Sequence, residues 1–114
     1  MANFIIEEFD EYKATIHDSN YEGVEYSIQL HLPDGEAQLR FQSKDFKANN
    51  ITQKNGKNLY NVYYKTAKYY NVIDLLRNEG PLYFFYNLET GHSYLTTGDE
   101  PVGEGEGHFD GENS

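Results

Sequence analysis

Tyrosines and lysines lie close together in the middle of the chain, and this combination of residue types can bind a ligand. Tyrosine rings stack on nucleobases, and lysine ammonium groups neutralise phosphates. The pattern predicts a pocket for a small anion such as a nucleotide signal, with the candidate residues Tyr60, Tyr64, Lys65, Lys68 and Tyr69. The same rings also have a structural explanation, because a β core that lacks tryptophan is filled by its 11 tyrosines and 7 phenylalanines.

Residue types that perform acid–base, nucleophilic or metal chemistry show no supporting spacing. The four histidines form no H-E-x-x-H motif, and no serine lies in a G-x-S-x-G motif. Cysteine is absent, which excludes thiolate nucleophiles and cysteine-ligated metals. We therefore predict no catalytic residue, no metal site and no cofactor.

Charge is segregated along a chain whose net charge is −10. Residues 1–39 carry a net charge of −8, residues 40–77 carry +6, and residues 79–114 carry −8. A basic middle that pairs with acidic ends across neighbouring strands would explain this pattern. The alternative is an acidic surface that attracts a basic partner. Its candidate residues are Glu7, Glu8, Asp10, Glu11, Glu22 and Glu25.

The elements that must position these residues include a strand and a helix in the second half of the chain. Residues 60–65 alternate between apolar and polar side chains, which predicts a strand. The following run predicts a helix over about residues 71–79. Asn71 is the expected N-cap, and Gly80 is expected to close the last turn in the left-handed conformation.

Two hairpins are predicted on either side of this region. Residues 26–32 and 37–41 alternate cleanly and flank Pro33-Asp34-Gly35, where Gly35 is expected to accept a positive φ. Residues 82–86 are apolar on both faces, which predicts a central strand, and residues 92–97 return as its partner.

Two other segments have less regular patterns. Residues 4–16 predict one long first strand with a bulge near Glu8, and a short amphipathic helix over residues 5–12 is the alternative. Residues 46–58 are polar and predict an exposed loop with a tight Asn55-Gly56 turn.

These elements predict an α+β domain over residues 1–98. About six mostly antiparallel strands form a curved sheet or small barrel, with one short helix before the last hairpin. This order resembles an OB-fold, apart from the additional strand at residues 60–65. Residues 99–114 are rich in glycine and glutamate and predict an acidic disordered tail. The chain shows neither a basic–apolar leader nor an apolar run of membrane-spanning length, so we expect a cytoplasmic protein without a membrane partner.

Two segments carry a resemblance to other proteins. Residues 75–84 (LLRNEGPLYF) and 100–106 (EPVGEGE) resemble the C-terminal third of a set of small, uncharacterised bacterial and mobile-element proteins that end in E-P-V-G-E-G-E. The resemblance implies a bacterial or phage setting and provides no activity to transfer.

Two function classes follow from the sequence. The first is a non-catalytic acidic protein that binds a basic macromolecular partner, such as a toxin, nuclease or defence component. Such a protein would act as an inhibitor, an immunity protein or a phage anti-defence protein. The second is a small-ligand binder, monomeric or homo-oligomeric, that captures a nucleotide signal at the Tyr/Lys-rich middle. The acidic balance argues against binding of long nucleic acid.

Overall fold

The computed structural model describes residues 3–18, 23–44 and 47–98. Within these residues the chain forms eight strands, a 3₁₀ turn (Thr66–Lys68) and one helix, α1 (Tyr69–Asn78). The strands are β1 (Phe4–Phe9), β2 (Tyr12–Ile16), β3 (Val24–Leu32), β4 (Gly35–Gln42), β5 (Asn50–Lys54), β6 (Lys57–Lys65), β7 (Leu82–Asn87) and β8 (Ser93–Thr96). The predicted tail, residues 99–114, lies outside the described residues, as does Glu22.

The strands form two open sheets. One has three strands in the order β1-β7-β8, and the other has five in the order β2-β3-β4-β6-β5. The β-rich character, the short helix and the mostly antiparallel pairing are confirmed. The prediction of about six strands in one curved sheet or small barrel is wrong, because eight described strands divide between two sheets and neither sheet closes. The resemblance of the element order to an OB-fold is also wrong, because an OB-fold is a barrel and these strands form two open sheets.

The two predicted hairpins are confirmed. Strands β3 and β4 pair antiparallel around Pro33-Asp34, and β7 lies between β1 and β8 as a central strand. Gly35 does not have the expected positive φ. It is required for a different reason, because a Cβ atom at this position would lie 2.5 Å from the backbone oxygen of Asn58.

That close approach belongs to a parallel pairing that the sequence patterns did not predict. Strands β4 and β6 run parallel from Gly35↔Asn58 to Gln42↔Lys65. Parallel neighbours need a connection that returns the chain to the starting edge, and β5 lies within this connection. The predicted loop over residues 46–58 is therefore wrong in part. Its Asn55-Gly56 turn is confirmed, and both residues have a positive φ, as the tight hairpin requires.

The predicted long first strand is two strands in different sheets. Strand β1 pairs with β7, whereas β2 pairs with β3, and the chain passes between the sheets at Asp10 and Glu11. Phe9 and Tyr12, three residues apart, both pack into the core. The change of spacing at Phe9 is thus explained by a strand that leaves one sheet for the other, and no bulge is needed.

The core lies between the inner faces of the two sheets and the helix. The Tyr60 ring of β6 packs against Phe84 and Tyr86 of β7 at centroid distances of 5.6 and 5.1 Å, which joins the sheets. The Tyr69 ring of α1 stacks on Tyr26 of β3 at 4.0 Å. The largest fully buried side chains are Phe41, Phe84, Ile28, Leu30, Leu39 and Gln42.

The helix boundaries differ from the predicted ones. The helix begins at Tyr69 after the 3₁₀ turn, and no side chain caps it, so Asn71 lies inside the first turn. Gly80 does not adopt a left-handed conformation; instead the Glu79 backbone N–H donates to the Leu75 carbonyl at 3.1 Å. Burial of Tyr69 fixes the first turn by packing, which replaces the expected cap. No described helix has the length and apolar character needed to cross a membrane.

Candidate functional site

The structure does not bring the five Tyr/Lys candidates into one pocket. Tyr60 and Tyr69 are buried, and their rings contact other core rings. Tyr64 stacks on Phe41 at 5.2 Å, and burial raises the pKa of Tyr64 to about 12. Lys65 and Lys68 are exposed, and the alternation of β6 places Lys65 on the opposite side of the sheet from Tyr64. A ligand that stacked on Tyr60 or Tyr69 would have to displace core contacts.

The acidic candidates fall into different environments. Glu8, Asp10 and Glu11 are exposed near the passage between the sheets, and Glu25 is exposed on β3. Glu7 is half-buried, and its pKa is raised by this burial and by the negative charge of Asp34. A shallow depression of about 510 Å³ next to this region is lined by Glu8, Phe9, Asp10, His31, Leu32 and Pro33.

The outer face of the three-stranded sheet is apolar and open to solvent. Phe4, Ile6 and Tyr94 are 45%, 48% and 41% exposed there. The Phe85 ring lies between two neighbours, at 4.3 Å from Tyr94 and 5.3 Å from Phe4. Tyr83 lies on the same face, since it is two residues from Phe85 on β7. We call this surface the aromatic face; its residues are Phe4, Ile6, Tyr83, Phe85 and Tyr94.

The border of the aromatic face is negatively charged. Glu8 is exposed on β1 and lies opposite Tyr83 in the strand register. Glu89 is exposed in the β7–β8 turn, next to Leu88, which is also exposed. Residues 4–9 and 82–96 contain no lysine or arginine. The charged groups nearest to these exposed rings along the three strands are therefore carboxylates.

The outer face of the five-stranded sheet has a different character, because it is polar and contains a cavity of about 350 Å³. We call it the polar cavity. It is lined by Val24, Arg40, Gln42, Lys47, Asn50, Thr52, Leu59, Asn61 and Tyr63.

A hydrogen-bond network fixes the arginine of the polar cavity. The Arg40 Nη1 group donates to Asn61 Oδ1, and Arg40 Cζ lies 5.9 Å from the centroid of the Tyr63 ring. Asn61 is buried, and its Nδ2 group donates to Asn50 Oδ1 at 2.9 Å and to Thr52 Oγ1 at 3.2 Å. These bonds orient the Asn61 amide so that its oxygen faces Arg40.

Sequence reasoning missed this site because its residues come from four segments of the chain, around Val24, Arg40, Asn50 and Asn61. The parallel register places Arg40 opposite Tyr63 and Gln38 opposite Asn61, and that pairing could not be read from local patterns. One signal was available: alternation in β4 places Arg40 and Gln42 together on the side opposite Leu39 and Phe41.

A histidine and a serine also meet on the five-stranded sheet. His17 Nε2 and Ser27 Oγ are 2.8 Å apart. A serine nucleophile needs such a base, and it also needs a cleft for substrate and donors for the developing oxyanion. Neither residue lines the cavities described above, and Ser27 lies within the regular strand β3.

Among the described residues, no group of three or more histidine, aspartate or glutamate side chains is arranged to hold a metal ion.

Comparison of the chain with family models, with curated proteins and with solved structures finds no match. The resemblance to small bacterial and mobile-element proteins stays a prediction. Its second segment, residues 100–106, lies outside the described part of the chain.

Proposed function

We propose that this is a non-catalytic binding protein that holds a basic protein partner against its aromatic face. The observation that carries the proposal is the exposure of Phe4, Ile6 and Tyr94 on an open sheet face, in a chain of net charge −10. Contiguous exposed apolar surface on a globular protein marks an interaction site, and aromatic residues are enriched in the centres of such sites.

The aromatic face and its border supply different parts of the interaction. Phe4, Ile6 and Tyr94 bury apolar area against the partner and exclude water at the centre of the interface. Glu8, Asp10 and Glu89 form a negatively charged rim that attracts lysine and arginine side chains and speeds association. Proteins that act on nucleic acid carry surfaces that are rich in lysine and arginine. A toxin, nuclease or defence component is therefore the partner class we propose, and inhibition is the proposed mode of action.

Two isoleucine variants test the proposal. Three forms of the protein are immobilised and exposed to a lysate of the host cell: the wild-type chain, Ile6→Lys and Ile16→Lys. Each captured protein is then purified, and its affinity for each of the three forms is measured. Ile16 is the matched control because it is an isoleucine with 75% exposure on β2 of the other sheet. We expect a basic partner whose affinity falls about 30-fold or more with Ile6→Lys, the loss typical of a central interface residue, and stays unchanged with Ile16→Lys.

Three results would contradict the proposal. Equal losses with both variants would show that the aromatic face has no special role. Capture of an acidic protein whose binding is weakened by Ile6→Lys would contradict the proposed charge complementarity. Sedimentation that reveals a homodimer disrupted by Ile6→Lys would assign the face to a second copy of this chain.

A further inference from the structure

Arg40 lies in the polar cavity and has no carboxylate partner among the described residues. Asn61 Oδ1 accepts one of its N–H groups, and no carboxylate of residues 3–18, 23–44 or 47–98 forms an ion pair with it. A guanidinium group has five N–H donors, so most of them are available to a ligand. Lys54, by contrast, pairs with Glu36 at 3.2 Å.

Gln42 provides a second, independent indication of a ligand. Its side chain is 1% exposed and lines the same cavity as Arg40. Its Oε1 atom accepts no hydrogen bond within the described part of the chain. A buried carbonyl oxygen without a donor is unfavourable, and such groups in native proteins are usually satisfied by a partner. The Oε1 atom has almost no accessible surface, so a ligand O–H or N–H group would satisfy it after a small movement of the side chains around it.

We propose that the polar cavity binds a small phosphate monoester. Arg40 and Lys47 hold its phosphoryl oxygens, and its P–O–H group donates a hydrogen bond to Gln42 Oε1. A phosphate monoester retains this proton up to a second pKa of about 6, so one group can both accept and donate hydrogen bonds. The cavity volume of about 350 Å³ lies at the lower end of small-molecule sites, which leaves room for a small organic part beside the phosphate.

Asn61 acts as a positioning residue in this site. It accepts from Arg40 and is itself held by Asn50 and Thr52, so the guanidinium group is oriented before the ligand arrives. The Tyr63 ring covers one side of the guanidinium group. The phosphate therefore meets a fixed cation, as tight anion sites require.

The test compares phosphate with sulfate, because sulfate has the same shape but carries no proton near pH 6. Inorganic phosphate and sulfate are titrated separately at matched ionic strength and pH 6, and the side-chain amide signals of Gln42 and Asn61 are followed by NMR. We expect saturable phosphate binding with a Kd of about 1 mM or tighter. We expect sulfate to bind about tenfold more weakly, since it cannot donate to Gln42 Oε1.

Variants assign the effect to the cavity. Arg40→Gln should abolish phosphate binding. Gln42→Met should make the affinities for phosphate and sulfate about equal, because it removes the acceptor of the P–O–H hydrogen bond. Lys68→Gln is the matched control, since Lys68 is exposed and outside the cavity. If Arg40→Gln does not fold, Lys47→Gln replaces it and should weaken phosphate binding severalfold, because Lys47 is an exposed residue on the cavity wall.

Three outcomes would overturn the site. The first is equal affinity for phosphate and sulfate in the wild-type chain. The second is NMR shifts that do not saturate as phosphate is added. The third is a loss of phosphate affinity with Lys68→Gln as large as the loss with Arg40→Gln. The site is independent of the aromatic face, so Ile6→Lys should leave phosphate binding unchanged.

Discussion

Glu7 and Glu8 are adjacent on β1 but lie in different environments. Alternation of the strand points Glu7 towards the core and Glu8 towards the aromatic face. Burial raises the pKa of Glu7, and the charge of Asp34 adds to this effect. Strand alternation makes adjacent carboxylates face opposite ways, but it could not predict which side was covered, because the covering residues come from distant segments.

Replacing Glu7 by Gln should stabilise the fold at neutral pH. The folded-state pKa of Glu7 lies above its ordinary value of 4.5, so ionisation disfavours the folded state, and this cost grows as the pH rises through and above 4.5. We expect Glu7→Gln to increase the free energy of unfolding at pH 7 by less than about 1 kcal/mol, since solvent screens a partly exposed group. The gain should shrink towards pH 4, as measured by urea denaturation. Glu8→Gln is the control, and the same gain there would contradict the assignment to burial.

At the level of elements, the parallel β4–β6 pair and the helix determine how the segments combine. At the first pair of this register, β6 can approach β4 closely because Gly35 has no side chain. Helix α1 is held to the five-stranded sheet by Tyr69, whose ring stacks on Tyr26 and meets Phe41 edge-on at 5.3 Å. The sequence indicated strands near β4 and β6 and a helix near α1, whereas the parallel pairing and the contact residues were known only from the fold.

Replacing Gly35 by Ala should destabilise the protein. The added Cβ atom would lie 2.5 Å from the Asn58 oxygen, so the start of β6 must move away. We expect a loss of about 1–3 kcal/mol, typical of overpacking, in urea denaturation. Gly80→Ala is the control, because no atom beyond its chain neighbours lies within 4 Å of its added Cβ. Equal losses from both substitutions would mean that the contact with β6 is not the cause.

Replacing Tyr69 by Ala should detach the first turn of the helix from the sheet. The loss of a buried aromatic ring typically costs about 3–5 kcal/mol. The neighbouring Tyr70→Ala is the control, because Tyr70 is exposed and should lose less than about 1 kcal/mol. Thermal unfolding followed by circular dichroism distinguishes them, and similar melting temperatures for the two variants would refute the role of Tyr69 as anchor.

At the level of the whole molecule, charge is divided between the two sheets. The three-stranded sheet contains carboxylates and no lysine or arginine, whereas four cations of the basic middle lie on strands of the five-stranded sheet, namely Arg40, Lys54, Lys57 and Lys65. Lys54, one of these cations, pairs with Glu36 of the acidic N-terminal half, as the simplest interpretation of the sequence predicted. Burial opposes ionisation of Glu36, but hydrogen bonds from Gln38 and Lys54 and the charge of Lys54 hold its pKa below the ordinary value. Arg40 forms no such pair in the described structure.

This division of charge predicts a strong salt dependence for the proposed partner complex. Carboxylates at the rim of the aromatic face accelerate encounter with a basic protein, and salt screens this attraction. We expect the association rate to fall about tenfold or more between low salt and 0.5 M salt, while dissociation changes less. Surface plasmon resonance with the purified partner measures both rates. An association rate that is flat across this range would remove the electrostatic part of the proposal.

The sequence by itself determined the features that depend on near neighbours. Alternation in residues 26–41, the Asn55-Gly56 turn and the two-sided strand at residues 82–86 are set by local backbone preference and by side-chain period, and all three are present. Only the tertiary structure decided that β1 and β2 join different sheets, that β4 and β6 run parallel, and that Tyr60 is covered while Phe4 is open. The reason is physical: a strand pattern fixes which residues share a face, but burial of that face depends on segments far away in the chain.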